Sequence, residues 1–250
     1  MSEYWNYLII MCVGIAAGFI NTVAGGGSLL SLPVLIFMGL PPSVANGTNR
    51  LSIFAQNIFA VRGFQSKGVS EFPYAYWLAG TSLIGALLGA KLAIDISGEL
   101  FNRILAIVMM AVIAITIFNP LGKTGGDHEI MTKGRKGLTI FLFFFVGIYG
   151  GFIQAGVGFI MISILTLTNK FSLVKTNSIK VFVALVYTFF AIIIFVIEDR
   201  INWPLGIALA VGNSTGGWFA SRWSVEKGDK WIRVILVVAV SGMAVKLWFF

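Results

Sequence analysis

The chain has a single cysteine, a single histidine and few charges, which make up 11% of its 250 residues. Cys12 has no second thiol to pair with, lies in an apolar run and has no other metal-ligating residue beside it. All ten acidic residues fall in or beside the polar gaps between apolar runs, so no carboxylate pair is placed inside them for acid and base work. These shortages exclude an internal disulfide. They also leave a membrane-embedded enzyme without a reacting constellation, and no metal or cofactor is expected. The net charge of +8 comes from basic residues that mostly flank hydrophobic stretches. Orientation in a bilayer accounts for that placement better than nucleic-acid binding does.

What the chain has in excess is apolar sequence. With 58% hydrophobic residues and a mean hydropathy of +0.91, many runs approach the ~20 residues that cross ~30 Å of hydrocarbon. The expectation is an all-α polytopic membrane protein. Apolar runs fall at 5–22, 28–40, 45–61, 73–94 and 101–118, then at 137–155, 159–169, 178–197, 203–221 and 231–249. Residues 1–7 carry no Lys or Arg, so the first run is expected to be a retained span and not a cleaved signal. Trp5, Trp77, Trp203, Trp223, Trp231 and Trp248 cluster at run ends, where indoles anchor at the membrane surface.

A glycine-rich break occurs twice, about 130 residues apart. Gly18-Phe19-Ile20-Asn21 followed by Ala24-Gly25-Gly26-Gly27 is echoed by Gly151-Phe152-Ile153-Gln154 followed by Ala155-Gly156-Val157-Gly158. With these aligned, Ala45-Asn46-Gly47-Thr48-Asn49 falls on Thr176-Asn177-Ser178-Ile179-Lys180 without a gap. Later, Gly80-Thr81-Ser82 meets Gly212-Asn213-Ser214, and Arg103 meets Arg233 within a residue or two. Similarity at four separated places predicts duplication of a whole half. Interrupted hydrophobic segments in corresponding positions are the sequence signature of a transporter binding site.

The expected organisation is a first repeat over 1–118, a cytoplasmic linker over 119–136 and a second repeat over 137–250. His128 is expected on the surface of that linker. If the short runs 28–40 and 159–169 both cross, Arg62, Lys67, Lys123, Lys133, Arg135, Lys136, Lys170, Lys175, Arg222, Lys227, Lys230 and Arg233 share one side. Lys91, Arg103, Arg200 and Lys246 then lie opposite. If neither crosses, the basic residues divide evenly. Cytoplasmic loops are rich in Lys and Arg, so the biased arrangement is favoured: two inverted five-span repeats with both termini outside the inner membrane. The alternative is eight full spans plus two re-entrant segments.

Several polar residues are candidates for holding a substrate. Gly25, Gly26, Gly27 and Ser28 should open a short helix whose free amides suit an anionic head group. Gly156 and Gly158 would offer the same surface from the second half, although such glycines also serve close helix packing. Arg50 and Lys180 lie early inside apolar runs with no acid nearby in sequence. Each either meets an anion in a cavity or snorkels to the head groups. Asn21, Thr22, Asn46, Thr48, Asn49, Gln56, Asn57, Gln154, Asn177, Asn213, Ser214 and Thr215 supply amides and hydroxyls that could bind substrate oxygens or bridge helices.

Taken together, Gly18-Phe19-Ile20-Asn21-Thr22-Val23-Ala24-Gly25-Gly26-Gly27-Ser28, Pro33, Ala45-Asn46-Gly47-Thr48-Asn49-Arg50 and the second-half Gly150-Gly151-Phe152 with Gly156 and Gly158 resemble the sulfite exporter TauE/SafE family, or toluene-sulfonate uptake permeases, over nearly the full length. The resemblance implies transport of sulfite, sulfonates or related sulfur-containing anions. The expected function is therefore a secondary anion transporter working by alternating access, with an anion channel or a non-transporting scaffold as the alternative. Its expected partners are a small anion and the bilayer. Coupling to protons or another ion, and assembly into a homo-oligomer, are left open.

Overall fold

The computed structural model describes residues 2–70, 72–118 and 129–249. Regular structure within them is entirely helical: α1 (Ser2–Val23), α2 (Ser28–Phe37), α3 (Pro42–Gln65), α4 (Phe72–Asp95), α5 (Gly98–Phe118), α6 (Lys133–Phe152), α7 (Val157–Asn169), α8 (Leu173–Ile197) and α9 (Trp203–Phe249). α9 is interrupted at Gly228, where φ is 70° and ψ is −174°, giving arms over 203–227 and 229–249. His128 and linker residues 119–128 lie outside the described residues.

Among the described residues, four helical stretches are long and apolar enough to cross a membrane: Tyr4–Val23, Pro73–Asp95, Lys133–Phe152 and Leu173–Ile197. α2 and α7, with 10 and 13 residues, are about 15 and 20 Å long, short of ~30 Å. α3 differs in kind. Asn46, Thr48, Asn49, Arg50, Ser52, Gln56 and Asn57 are all buried along it, which in lipid requires protein on every polar face.

That protein comes from an exchange of partners. α4 packs on α6 and α8, α9 packs on α1 and α3, and α3 meets α8. One apolar cluster joins residues such as Val23, Leu32, Phe101 and Leu209, and a second joins Leu78, Phe143, Met161 and Val183. Lipid tails are as apolar as these side chains, so close backbone approach matters more here than removal from water. Gly14 and Gly18 of α1 face Gly212, Asn213 and Gly216 of α9, while Gly85 and Gly89 of α4 face Gly147 and Ile148 of α6. A methyl on Gly14 would stand 3.1 Å from Gly212 Cα, so these small-residue seams admit no side chain. The outward faces carry exposed Ile84, Leu88, Phe141, Phe145 and Ile197, a surface suited to acyl chains. Cys12 is also exposed.

Polar contacts define the two ends of the bundle. At one end Lys67 pairs with Glu226 at 2.6 Å and Lys175 with Glu129 at 2.8 Å. Arg135 there donates to Thr168 O, and Asp229 accepts the amides of Leu173 and Val174 at 2.8 and 3.1 Å, capping α8. The opposite end joins Gly98 to Pro42, Gly47 to Arg200 O and Thr48 Oγ1 to Asn202 N. α1 runs parallel to the 203–227 arm, with Met11 O against Gly212 and Phe19 beside Trp223. Its N-terminus therefore lies at the second end.

Candidate functional site

The site begins where two helices stop short. Ala24 N and Gly25 N bond back to Ile20 O at 2.7 and 3.1 Å, closing the last turn of α1. Gly25 then takes φ = 89°, a left-handed conformation that glycine adopts without cost. In the second half, Ile153 N bonds to Tyr149 O, after which Gln154 (φ 65°) and Gly156 (φ 74°) turn the chain. The expected run 137–155 therefore ends as a helix at Phe152.

The breaks touch. A methyl group on Gly25 would lie 2.5 Å from Gly158 Cα and 2.7 Å from Phe159 N, and one on Gly158 would lie 2.7 Å from Gly25 O. Each break restarts as a helix with an amide in its first turn that lacks a backbone acceptor: Ser28 N in α2, before Leu29 N and Leu30 N bond Gly26 O and Gly27 O, and Gly158 N in α7, between Val157 N on Gln154 O and Phe159 N on Gly156 O. Gly27 packs against Ala17 O and Asn21.

A helix that ends inside a bilayer leaves carbonyls unsatisfied at the negative end of its dipole. Each end is met by a cation from across the molecule. Arg50 on α3 donates through Nη1 to Gly150 O at 3.0 Å and through Nη2 to Phe152 O at 3.1 Å and to Gly151 O. Its guanidinium lies 4.7 Å from the Phe195 ring centroid. One turn earlier, Asn46 Nδ2 donates to Phe152 O at 2.8 Å. On α8, Lys180 Nζ donates to Asn21 O at 2.9 Å, Thr22 O at 2.7 Å and Asn177 Oδ1 at 2.7 Å, while Asn177 Nδ2 donates to Val23 O at 2.9 Å. Arg50 is 0% exposed and Lys180 4%, so neither snorkels. In this conformation their partners are carbonyls, and none of the described acids pairs with them.

Between the two latches lies a cavity of about 20 Å³, bounded by Asn21, Ser28, Asn57, Gln154, Gly158, Lys180 and Tyr187, with an apolar wall that includes Ile53, Val157 and Met161. That is room for about one water. Asn21 Nδ2 donates to Gln56 Oε1, Gln56 Nε2 to Thr22 Oγ1, and Gln154 Nε2 to Thr188 Oγ1. Two buried atoms of the lining, Asn57 Nδ2 and Gln154 Oε1, have no partner, and the Tyr187 hydroxyl lies beside the Thr188 and Gln154 side chains. Among the described residues, no three of His, Cys, Asp or Glu come together.

Of the residues singled out from sequence, Asn21, Ser28, Gln154, Gly158 and Lys180 line this cavity. Gly25, Gly26, Gly27 and Gly156 form the breaks beside it. Thr22, Asn46, Arg50 and Asn177 hold the interrupted ends. Asn49 Oδ1 accepts from Ser31 Oγ at 2.7 Å, tying α2 to α3, and Thr48 serves the distant contact with Asn202. Asn57, one of the sequence candidates, also lines the cavity, whereas the sequence reading did not single out Tyr187. A signal was present: extending the gapless alignment sets Gln56 against Tyr187 and Asn57 against Thr188.

A family model described as "Sulfite exporter TauE/SafE" matches residues 10–247. A "Probable membrane transporter protein" of Haemophilus influenzae is 28% identical over 96% of this chain and 93% of its own. "Probable membrane transporter protein ORF9" of a Sinorhizobium species is 28% identical over 92% of this chain and 88% of its own. "Probable membrane transporter protein YfcA" of Escherichia coli is 27% identical over 96% of this chain and 88% of its own. No solved structure matches the chain.

Proposed function

We infer that this chain, which belongs to the sulfite exporter TauE/SafE family, is a secondary transporter that moves small sulfur-containing anions, such as sulfite or sulfonates, across the inner membrane by alternating access. The observation that carries the reading is the pair of interrupted helices, each latched by a cation of the other half, around a small cavity with polar groups in its lining. A channel needs a continuous path, whereas this cavity has room for about one water.

Further features support two inverted repeats. α4 meets α6 and α8 as α9 meets α1 and α3, and the aligned Asn46 and Asn177 both donate to carbonyls at the opposite break. Lys180 lies seven residues beyond the α8 start, near the end that holds Lys67 and Lys175. Arg50 lies eight residues beyond the α3 start, near the other end. Releasing one latch at a time would open the cavity to one face at a time. The Lys67–Glu226 contact supports the biased arrangement, since the evenly divided one would set these residues on opposite faces. Ten described basic residues then share the linker end (Arg62, Lys67, Lys133, Arg135, Lys136, Lys170, Lys175, Arg222, Lys227 and Lys230) against Lys91, Arg103 and Arg200. That bias favours a cytoplasmic linker end with both termini outside.

The substrate reading rests on the family description together with Lys180 and the free amides at the restarts. No carboxylate lines the cavity, so a coupled proton would travel on the substrate or on water. The test is counterflow in proteoliposomes loaded with sulfite or a sulfonate. A carrier accelerates labelled uptake when the same anion is on the other side. Flux that neither saturates nor responds to that gradient would show a pore.

A further inference from the structure

We propose that the cavity selects a singly charged anion, with Lys180 as its one cationic contact and Asn57 and Tyr187 as neutral donors to its oxygens; this rests on the transporter reading above. Lys180 is the only charged side chain in the lining. Arg50 is outside it, held by the Gly150, Gly151 and Phe152 carbonyls.

Asn57 is 1% exposed, yet Asn57 Nδ2 has no partner. A buried donor left unpaired costs stability, and this one borders the cavity. The Tyr187 hydroxyl, at a residue 0% exposed, borders it too, beside the Thr188 and Gln154 side chains. An anionic oxygen entering there would accept from both. It would also draw Lys180 Nζ from Asn21 O and Thr22 O, coupling occupancy to release of the α1 latch. Gln154 Oε1 is the second unpartnered atom, at a residue 2% exposed. As an acceptor it disfavours a fully deprotonated oxygen beside it and accommodates a ligand hydroxyl or a water. Ile53, Val157, Met161, Val181 and Ala184 form the remaining wall, which suits a small apolar substituent. A second negative charge would meet no cation in a desolvated site.

Methanesulfonate and sulfate test this directly, because both are tetrahedral and differ by one charge. The readout is the concentration of each that half-maximally protects the purified full-length protein against thermal unfolding. Methanesulfonate is expected to act at a concentration at least ~100-fold below that of sulfate. Asn57→Leu removes an unpartnered buried group, so without ligand it should unfold at the wild-type temperature or above, and Tyr187→Phe, which gives up the contacts with Thr188 and Gln154, slightly below it. Each should raise the methanesulfonate requirement roughly ten- to a hundredfold. Equal or stronger protection by sulfate overturns the charge selection, and if sulfite counterflow persists the transporter reading survives that loss. Protection by neither anion overturns the site itself. Variants that unfold earlier but keep wild-type methanesulfonate affinity would show that Asn57 and Tyr187 are structural.

Discussion

Adding a methyl group to Gly25 tests the contact between the two helix breaks. Two costs arise and can be separated. The first is conformational: at φ = 89° an L-residue is strained by roughly 1–3 kcal/mol. Gly39 measures that term alone, because its φ is 93° and a methyl there meets nothing within 4 Å. The second cost is steric. The new carbon at position 25 would stand 2.5 Å from Gly158 Cα and 2.7 Å from Phe159 N, where carbon atoms rest near ~3.5–4 Å. The two hairpins must separate by about an ångström, an overpacking cost of roughly 1–3 kcal/mol. Gly39→Ala should therefore destabilise modestly and leave counterflow intact. Gly25→Ala should cost about 1–3 kcal/mol more and slow counterflow at least tenfold, because the occluded state cannot close. Gly158→Ala, placed against Gly25 O at 2.7 Å, should share the steric loss. Thermal unfolding in lipid nanodiscs and counterflow on the same preparations are the assays. If Gly25→Ala and Gly39→Ala behave alike in both, the breaks do not bear on each other as described.

Three further outcomes follow from particular contacts. Lys180→Met keeps the length of the side chain but leaves Asn21 O, Thr22 O and Asn177 Oδ1 without their donor, so thermal stability should fall by about 1–3 kcal/mol while counterflow is lost; retained flux would remove Lys180 from the mechanism. Asp229→Ala deprives Leu173 N and Val174 N of their cap and should cost about 0.5–2 kcal/mol in thermal unfolding, with no change in the half-saturating substrate concentration. The Glu226 carboxyl is held below its ordinary 4.5 by its hydrogen bond to Lys67 and by that cation's charge. A depressed carboxylate contributes stability above its unfolded value and loses it as pH falls through the folded one. The difference between wild type and Lys67→Ala should therefore be small at neutral pH, shrink with salt and vanish at acidic pH beneath 4.5, as followed by unfolding temperature.

The apolar runs anticipated the helices because the bilayer imposes one rule on every span: backbone groups must be satisfied within the segment. Runs expected at 28–40 and 159–169 appear as α2 and α7, and Gly25 and Gly156 mark the breaks before them. Boundaries shifted where a tertiary partner intervened. The run expected from 178 begins as a helix at Leu173, since Ser172 Oγ accepts Lys175 N and Asp229 caps the first amides. The glycine seams were written as Gly14 with Gly18, Gly85 with Gly89, Gly147 with Gly151 and Gly212 with Gly216, but spacing does not say which seam meets which.

The sequence by itself determined a membrane-embedded, all-helical chain, the places where two helices break and the family to which it belongs, because each follows from local composition or from a motif read along the chain. Tertiary structure decided what the polar residues touch. Arg50 and Lys180 read alike in sequence, yet Lys180 borders the cavity while Arg50 is held wholly by carbonyls about 100 residues away. Tyr187 became a candidate only once the fold set it against the cavity, and Asn57, one of many polar residues in the sequence, stood out only once its neighbours left its Nδ2 without a partner. The physical reason is that a polar atom in a bilayer is defined by the groups that satisfy it, and those groups come from the other half of the chain.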